Sequence, residues 1–310
     1  MKKPELLISA GSIEEIKKFA EAGADAVQIG ENEFGLRMPG NFQLEEIGQA
    51  IKSAHEQNLK AYVSVHNIMS HEHVQRLPEY LKKLSDWGAD AIIFGDPAVY
   101  LIVKEQHLCL PLHWNAEMTS TNYASINYWA KKGIKRAVIA RELNLHEMEE
   151  IIQQSETEIQ VQIHGMTNIY HSKRHLIQSY MGYLGEQAPE DEQYDKEQGL
   201  YLVEHERRNL KLPIFEDQNG THIMSPDDLC TIDSLDELLV CQPDSLYIEG
   251  LLKPIEYNEK VVRVYRQAIN KWHRDPENYE YEESWLDQIE KLQPKDRELN
   301  YGFFFKEQVY

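Results

Sequence analysis

The residues with the most chemical potential stand just after short apolar runs. They are Gln28 and Glu31, His66 and Asn67, Asp96, Asn115 and Glu117, Arg141 and Glu142, His164, and Glu249. A ring of acids, amides, imidazoles and guanidinium groups at such points is what a pocket for a polar small molecule requires. Asp96 in GDP and Asn122 in STNYAS read equally well as helix N-caps. Glu31, Arg37, Asn115, Arg141 and Glu249 are the stronger functional candidates, although Arg37 would also serve in a plain ion pair with Glu31 or Glu33.

Other chemistries lack their motifs. The chain has no G-x-S-x-G elbow, no H-E-x-x-H run, and no caspase-like or papain-like neighbourhood around Cys109, Cys230 or Cys241. The tightest histidine group is His164, His171 and His175 in HGMTNIYHSKRH. His171 and His175 would share one face if that segment were helical, but a pair without a nearby third ligand reads as incidental, so no metal is expected. Three unclustered cysteines fall short of the four thiolates that an iron–sulfur cluster normally takes.

A recurring unit would position these groups. A helical segment stops at Gly and a short apolar strand follows, in FAEAGADAVQIG (Gly23), LSDWGADAIIFGDP (Gly88) and YWAKKGIKRAVIAR (Gly133). Strands are expected at Leu6–Ser9, Ala26–Ile29, Ala61–Val65, after Gly88, and at Leu112–Asn115, Ala137–Ile139, Ile159–His164 and Ser245–Ile248. Helical patterns separate most of them: Ser12–Ala22, Gln43–Gln57, His73–Trp87, Pro97–His107, Asn122–Lys132 and Asn144–Gln154. Strand and helix in alternation imply a parallel sheet, and eight such units match a closed (β/α)8 TIM-like barrel. The competing doubly wound sheet usually carries a Gly-rich phosphate loop, and GSIEE after the first strand holds a single glycine. The expected domain spans 1–270, with an insertion of about 182–215 between strands seven and eight. Its acidic stretch Glu186–Glu197 reads as a solvated loop. The extension 271–310 ends in YGFFFKEQVY, whose phenylalanines are expected to dock on the barrel or on a partner.

Composition narrows the function classes. Lys and Arg number 32 against 52 Asp and Glu, a formal net charge of −20 over 310 residues. That balance disfavours unaided binding of nucleic acid, whose phosphates need a basic surface. No apolar run is long enough to span a bilayer, so no membrane association is expected. The cysteine usage fits a reducing cytoplasm.

The chain resembles the collagenase-like U32 peptidases over nearly its whole length. The resemblance is carried by AGADAVQIG with Phe34 and Arg37, AYVSVHNIM, GADAIIFGDPAV, NAEMTSTNYAS, RAVIARELNL and QIHG at 162–165. Its most specific parts are NGTHIMSPDDLC at 219–230 and SLYIEGLLKPIEYNEKVVRVYRQAI at 245–269. The resemblance implies a barrel-like catalytic domain in a bacterial cytoplasmic protein. Typical members hold an iron–sulfur cluster on cysteines that begin just after the H-G motif; here Asn168 and His175 stand where the first two would be. Cluster-lacking members of this length are similar to the paired prephenate-dependent tRNA hydroxylation proteins of Gram-positive bacteria. That similarity implies 5-hydroxylation of the wobble uridine of tRNA, with a cluster-bearing paralogue as partner and prephenate as a small anionic ligand. Arginine suits bidentate carboxylate binding. On this reading Arg37 and Arg141 bind the ligand, Asn67 and Asn115 hydrogen-bond it with His164, and Glu31 and Glu249 orient the arginines or act as general bases, so that Glu31, His164 and Glu249 are the catalytic candidates. Two further readings stay open: a U32-type peptidase, and a non-catalytic scaffold.

Overall fold

A computed structural model describes residues 2–117, 119–185 and 194–307. The chain opens with six strand–helix units. These are β1 (Glu5–Ser9) and α1 (Ile13–Ala22), β2 (Ala26–Ile29) and α2 (Leu44–Glu56), then β3 (Lys60–Val65) and α3 (His71–Asp86). They continue as β4 (Ala91–Phe94) and α4 (Pro97–Glu105), β5 (Leu112–Trp114) and α5 (Tyr123–Lys131), and β6 (Arg136–Val138) and α6 (Leu145–Gln154). Local signals set these bounds. Ser12 caps α1 by accepting from Glu15 N, and the helix stops at Gly23, whose φ of 103° suits a residue without Cβ. α3 starts two residues before the expected His73, because Ser70 caps it and accepts from His73 N at 3.2 Å.

After β7 (Glu158–Gly165) the chain leaves the barrel. β8 (Asn168–Ser172), α7 (Leu176–Tyr183), β9 (Tyr201–Val203), β10 (Lys211–Asp217) and β11 (Gly220–Met224) form an antiparallel sheet in the order β8-β11-β10-β9, with α7 beside it. The excursion thus begins at Asn168, earlier than the expected start near 182, and residues 186–193 of the acidic stretch lie outside the described residues. Two of its strands, β8 and β9, hold no buried residue and so lack the apolar pattern of the barrel strands, while β10 and β11 are mostly buried. β12 (Asp228–Cys230) returns antiparallel to β7, α8 (Leu235–Val240) follows, and β13 (Ser245–Ile248) pairs in parallel with both β7 and β1. That double pairing closes eight parallel strands into a (β/α)8 barrel.

α9 (Ile255–Arg274) packs against α1 and runs past position 270, and α10 (Glu283–Glu290) and β14 (Leu299–Asn300) complete the chain. Trp285, Ile289 and Phe304 are buried in the helix-covered core, whereas Phe303 and Phe305 remain exposed. One phenylalanine of the three therefore docks, fixed by Leu145 N donating to its carbonyl at 2.9 Å. Among the described residues no helix is long and apolar enough to cross a membrane.

Strand alternation divides the barrel wall. Outward Leu6, Ile8, Val27, Val63, Ile92 and Ile159 join the core under the helices, while inward Leu7, Ala26, Tyr62, Ala91, Ile93 and Tyr247 form a separate cluster inside. Below this apolar waist, Arg136 donates to Glu5 at 2.5 Å and to Glu158 at 2.9 Å, and Tyr62 adds a hydroxyl to Glu5 at 2.7 Å. Burial alone would raise the Glu5 carboxyl, but Arg136 and these donors hold it at about 2. Removing Arg136 strands a buried charge. Arg136→Met is expected to lose about 3–5 kcal/mol in urea unfolding near neutral pH, and Glu5→Leu/Arg136→Met to recover most of it. Because the Glu5 pKa is depressed, its contribution is present above the ordinary carboxylate range and is lost as pH falls toward about 2.

Candidate functional site

At the carboxyl ends of the strands the barrel narrows to an inner mouth with about 60 Å³ of free space. β1 brings Ser9, β2 brings Gln28, and the loop after β2 brings Arg37. β3 is followed by His66, β5 by Asn115 and Glu117, and β6 by Arg141. Gln160 and Gln162 on β7, Asn168 on β8, and Tyr247 and Glu249 at β13 close the ring.

One carboxylate ties this ring together. Glu117 Oε1 accepts from Arg37 Nη2, and Glu117 Oε2 faces Arg141 Nη2 at 3.5 Å. Burial would raise the Glu117 carboxyl, but the two guanidinium groups outweigh it and hold the group at about 2. Arg37 therefore pairs with Glu117 and not with Glu31 or Glu33. Both partners hold left-handed backbone, φ 53° at Arg37 and 52° at Glu117. That conformation is costly for residues with long side chains and is a common mark of functional sites. Asn115 Oδ1 supports the turn by accepting from Glu117 N at 3.2 Å. His66, half-buried near the arginines, is pushed down to about 4 mainly by desolvation and stays neutral.

Glu249 forms the wall opposite. It accepts from Ser9 Oγ at 2.8 Å, Leu251 N at 3.0 Å and Tyr247 Oη at 3.0 Å. Burial raises its carboxyl, and these donors partly offset the rise. The result is a fixed acceptor that aims the Tyr247 hydroxyl. Gly165 is required alongside, since a Cβ there would lie 2.2 Å from the Glu249 carbonyl and its φ is 96°.

The structure thus gathers Arg37, Asn115, Arg141 and Glu249, and leaves Glu31, Asn67 and His164 outside the mouth. Glu31 lines a separate cleft of about 480 Å³ with Glu33, His73, Arg76 and Lys173. Asn67 is buried as a clamp, donating to Glu33 O at 2.7 Å and to Asn219 Oδ1 at 2.8 Å. It pins the β10–β11 turn to the barrel. His164 is turned away by a bulge, because Tyr247 pairs with Gln162 but Ile248 pairs with His164. Its Nε2 meets the Tyr257 hydroxyl at 2.9 Å under α9, and burial drops its pKa to about 3. Sequence reasoning missed Ser9, Gln160, Gln162, Asn168 and Tyr247. The signal was present for the glutamines, since EIQVQI alternates polar and apolar residues within a buried strand.

The segment around His171 is a strand, so His171 and His175 share no helix face. His171 stacks on His222 with centroids 4.6 Å apart, and His175 precedes α7 near Glu216. Among the described residues no group of three or more His, Cys, Asp and Glu is arranged to hold a metal ion. Cys109 and Cys241 sit in helix-to-strand connections at the far end of the barrel from the mouth, and Cys230 is a buried thiol pushed up to about 12 by desolvation. These thiols do not fit a shared cluster. Asn168 lines the mouth, and His175 lines an outer cleft of about 600 Å³ that shares Arg37 and Met38 with it.

Comparison with known proteins places the whole arrangement. The model of peptidase family U32 matches residues 11–309. The chain is 46% identical to tRNA hydroxylation protein P2 of Bacillus subtilis over the full length of both. It is 32% identical to tRNA hydroxylation protein P1 of the same organism, covering 95% of this chain and 70% of that one. The solved structure of the U32 peptidase Mk0906 superposes with a TM-score of 0.50 at 12% identity, over 79% of this chain and 92% of the other, a likeness of fold.

The separate cleft offers a stability test. Burial and then repulsion from Glu33 raise the Glu31 carboxyl to about 7 from an ordinary 4.5. A raised carboxyl stabilises the fold below the lower value, and that contribution is lost as pH rises through the upper one. Glu31→Gln is expected to remove this slope and to be the more stable protein near pH 8 by about 1–3 kcal/mol, read from urea midpoints near pH 5 and 8.

Proposed function

The chain belongs to peptidase family U32, and on that premise we propose that it serves tRNA hydroxylation and not peptide hydrolysis. The observation that carries the reading is the convergence of Arg37 and Arg141 on one point inside a polar barrel mouth. Two guanidinium groups in a desolvated setting suit an anion with more than one charged oxygen. Hydrolysis finds no support in the mouth: Ser9 donates to Glu249, and no histidine stands within hydrogen-bond reach of its hydroxyl among the described residues.

The ligand we assign is prephenate, whose two carboxylates answer the two arginines. Asn115 shapes the Glu117 turn, and Glu249, accepting from the Tyr247 hydroxyl, fixes that ring in the wall of the mouth. The inner mouth is where the small anion binds, and the outer cleft, which shares Arg37, is where a uridine base approaches it. The target is the wobble uridine of tRNA in the cytoplasm. A cluster-bearing paralogue supplies the redox chemistry, as the coexistence of relatives named P1 and P2 in one organism supports. With a charge of −20, this chain leaves most phosphate contacts to that partner.

Nucleoside mass spectrometry of bulk tRNA tests the reading. In a strain lacking both this gene and its paralogue, 5-hydroxyuridine-derived nucleosides are expected to vanish and to return when both wild-type genes are supplied. Arg37→Ala and Arg141→Ala are each expected to cut the restored level at least tenfold, in line with about 1.5–3 kcal/mol for a charge-assisted contact. Full restoration by both variants would overturn the assignment.

A further inference from the structure

The inner mouth is already furnished with a carboxylate. Glu117 offers one oxygen to each arginine, as a bound acid would. We propose that Glu117 is an internal stand-in for the ligand's carboxylate, and that the ligand enters by displacing it. The inference rests on reading the mouth as an anion site, and it adds what the anion must overcome.

Three observations support displacement. The first is space. About 60 Å³ is free, room for a few waters, whereas small-molecule sites typically run to about 300–1,000 Å³. That space is small for a ligand with two carboxylates, and moving Glu117 aside enlarges it at the point where the two arginines converge. The second is the backbone: both ends of the ion pair sit at positive φ, a costly conformation for these residues that marks functional sites. The third is unmatched polarity. Arg37 is 8% exposed, yet its Nη1 is buried without an acceptor, and the Gln160 and Asn168 side-chain oxygens are buried without donors among the described residues. Buried groups left unpaired are costly, so the closed mouth holds places for a carboxylate and for a hydroxyl at once. A hydroxy-carboxylate with two anionic groups satisfies all of them.

Protonation cannot open the mouth near neutral pH, because the arginines hold the Glu117 carboxyl at about 2. The ligand must compete with a carboxylate already held in place, which has no translational freedom left to lose. A lone monocarboxylate loses that contest, while a ligand engaging both arginines and the amides wins it. Glu117 is thereby a specificity residue.

Acetate is the direct probe. In Glu117→Ala, acetate is expected to raise the melting temperature saturably at matched ionic strength, with no such rise in wild type or in Glu117→Ala/Arg37→Ala. Prephenate is expected to bind Glu117→Ala at least tenfold more tightly than wild type by calorimetry, and the near-isosteric Glu117→Gln to follow the same direction should the alanine variant fold poorly. Acetate stabilising none of the variants, or wild type as much as Glu117→Ala, would overturn the stand-in. So would prephenate binding the Glu117 variants no more tightly than wild type, and that result leaves the prephenate reading standing. Acetate rescue without prephenate binding to any form would instead keep the stand-in and remove prephenate.

Discussion

A carboxylate set between two guanidinium groups is the constraint around which the upper half of this barrel is arranged. Three loops must meet to make it: Arg37 follows β2, Glu117 follows β5 and Arg141 follows β6. None of these charges is comfortable alone in a space so poor in water, and each is tolerable because the others are there. The arrangement needs the barrel closed, since an open sheet would leave β2 and β6 far apart. Closure comes from β13 pairing with both β7 and β1, and Ser9 beside Glu249 records it chemically, joining the first barrel strand to the last at 2.8 Å.

The interior follows a vertical order. Arg136 and Glu5 occupy the floor, Leu7, Ala26, Tyr62, Ala91, Ile93 and Tyr247 the waist, and Ser9, Gln28 and Gln160 line the mouth above it. An apolar waist keeps the two ionic systems from sharing water, so both work at low effective dielectric. The floor is fully paired and its role is to hold shape. The mouth has two arginines against one strongly ionised carboxylate, plus a Glu249 whose burial favours its neutral form. On the proposed function, that imbalance is what distinguishes the mouth from the structural ion pair of the floor.

Much of this was legible before any coordinates. Helix stops at Gly23, Gly88 and Gly133, each followed by a short apolar strand, specify the repeat, and the polar residues after the strands include Arg37, Asn115, Arg141 and Glu249. What failed did so for reasons of distance and register. Asn67 clamps Asn219, 152 residues away, and strand order says nothing about where an inserted hairpin will dock. Glu31 is drawn into a different cleft by that same insertion. His164 has the inward parity of Gln160 and Gln162 until a one-residue bulge in β7 reverses it. Whether His171 and His175 share a helix face stays conditional in the sequence, because the ladder partner that makes the segment a strand, His222, lies far along the chain. Glu117 was visible as a strand-end residue, but its place between two arginines needed the loops in three dimensions.

The inserted sheet then takes on a meaning that the barrel alone lacks. Asn168, the first residue of that sheet, lines the mouth, and His175 lines the outer cleft that shares Arg37 with it. These are the two positions at which the family resemblance places the first cluster cysteines. A thiolate-held cluster at those points would stand next to the guanidinium groups, within reach of whatever anion they bind. Here one position offers an amide and the other an imidazole that is half-exposed beside Glu216. The arginine pair is therefore present without sulfur donors at these two positions. On the proposed function, this separates binding from redox chemistry between two related chains. An acidic subunit that holds the small molecule then needs its partner for both electrons and phosphate contacts.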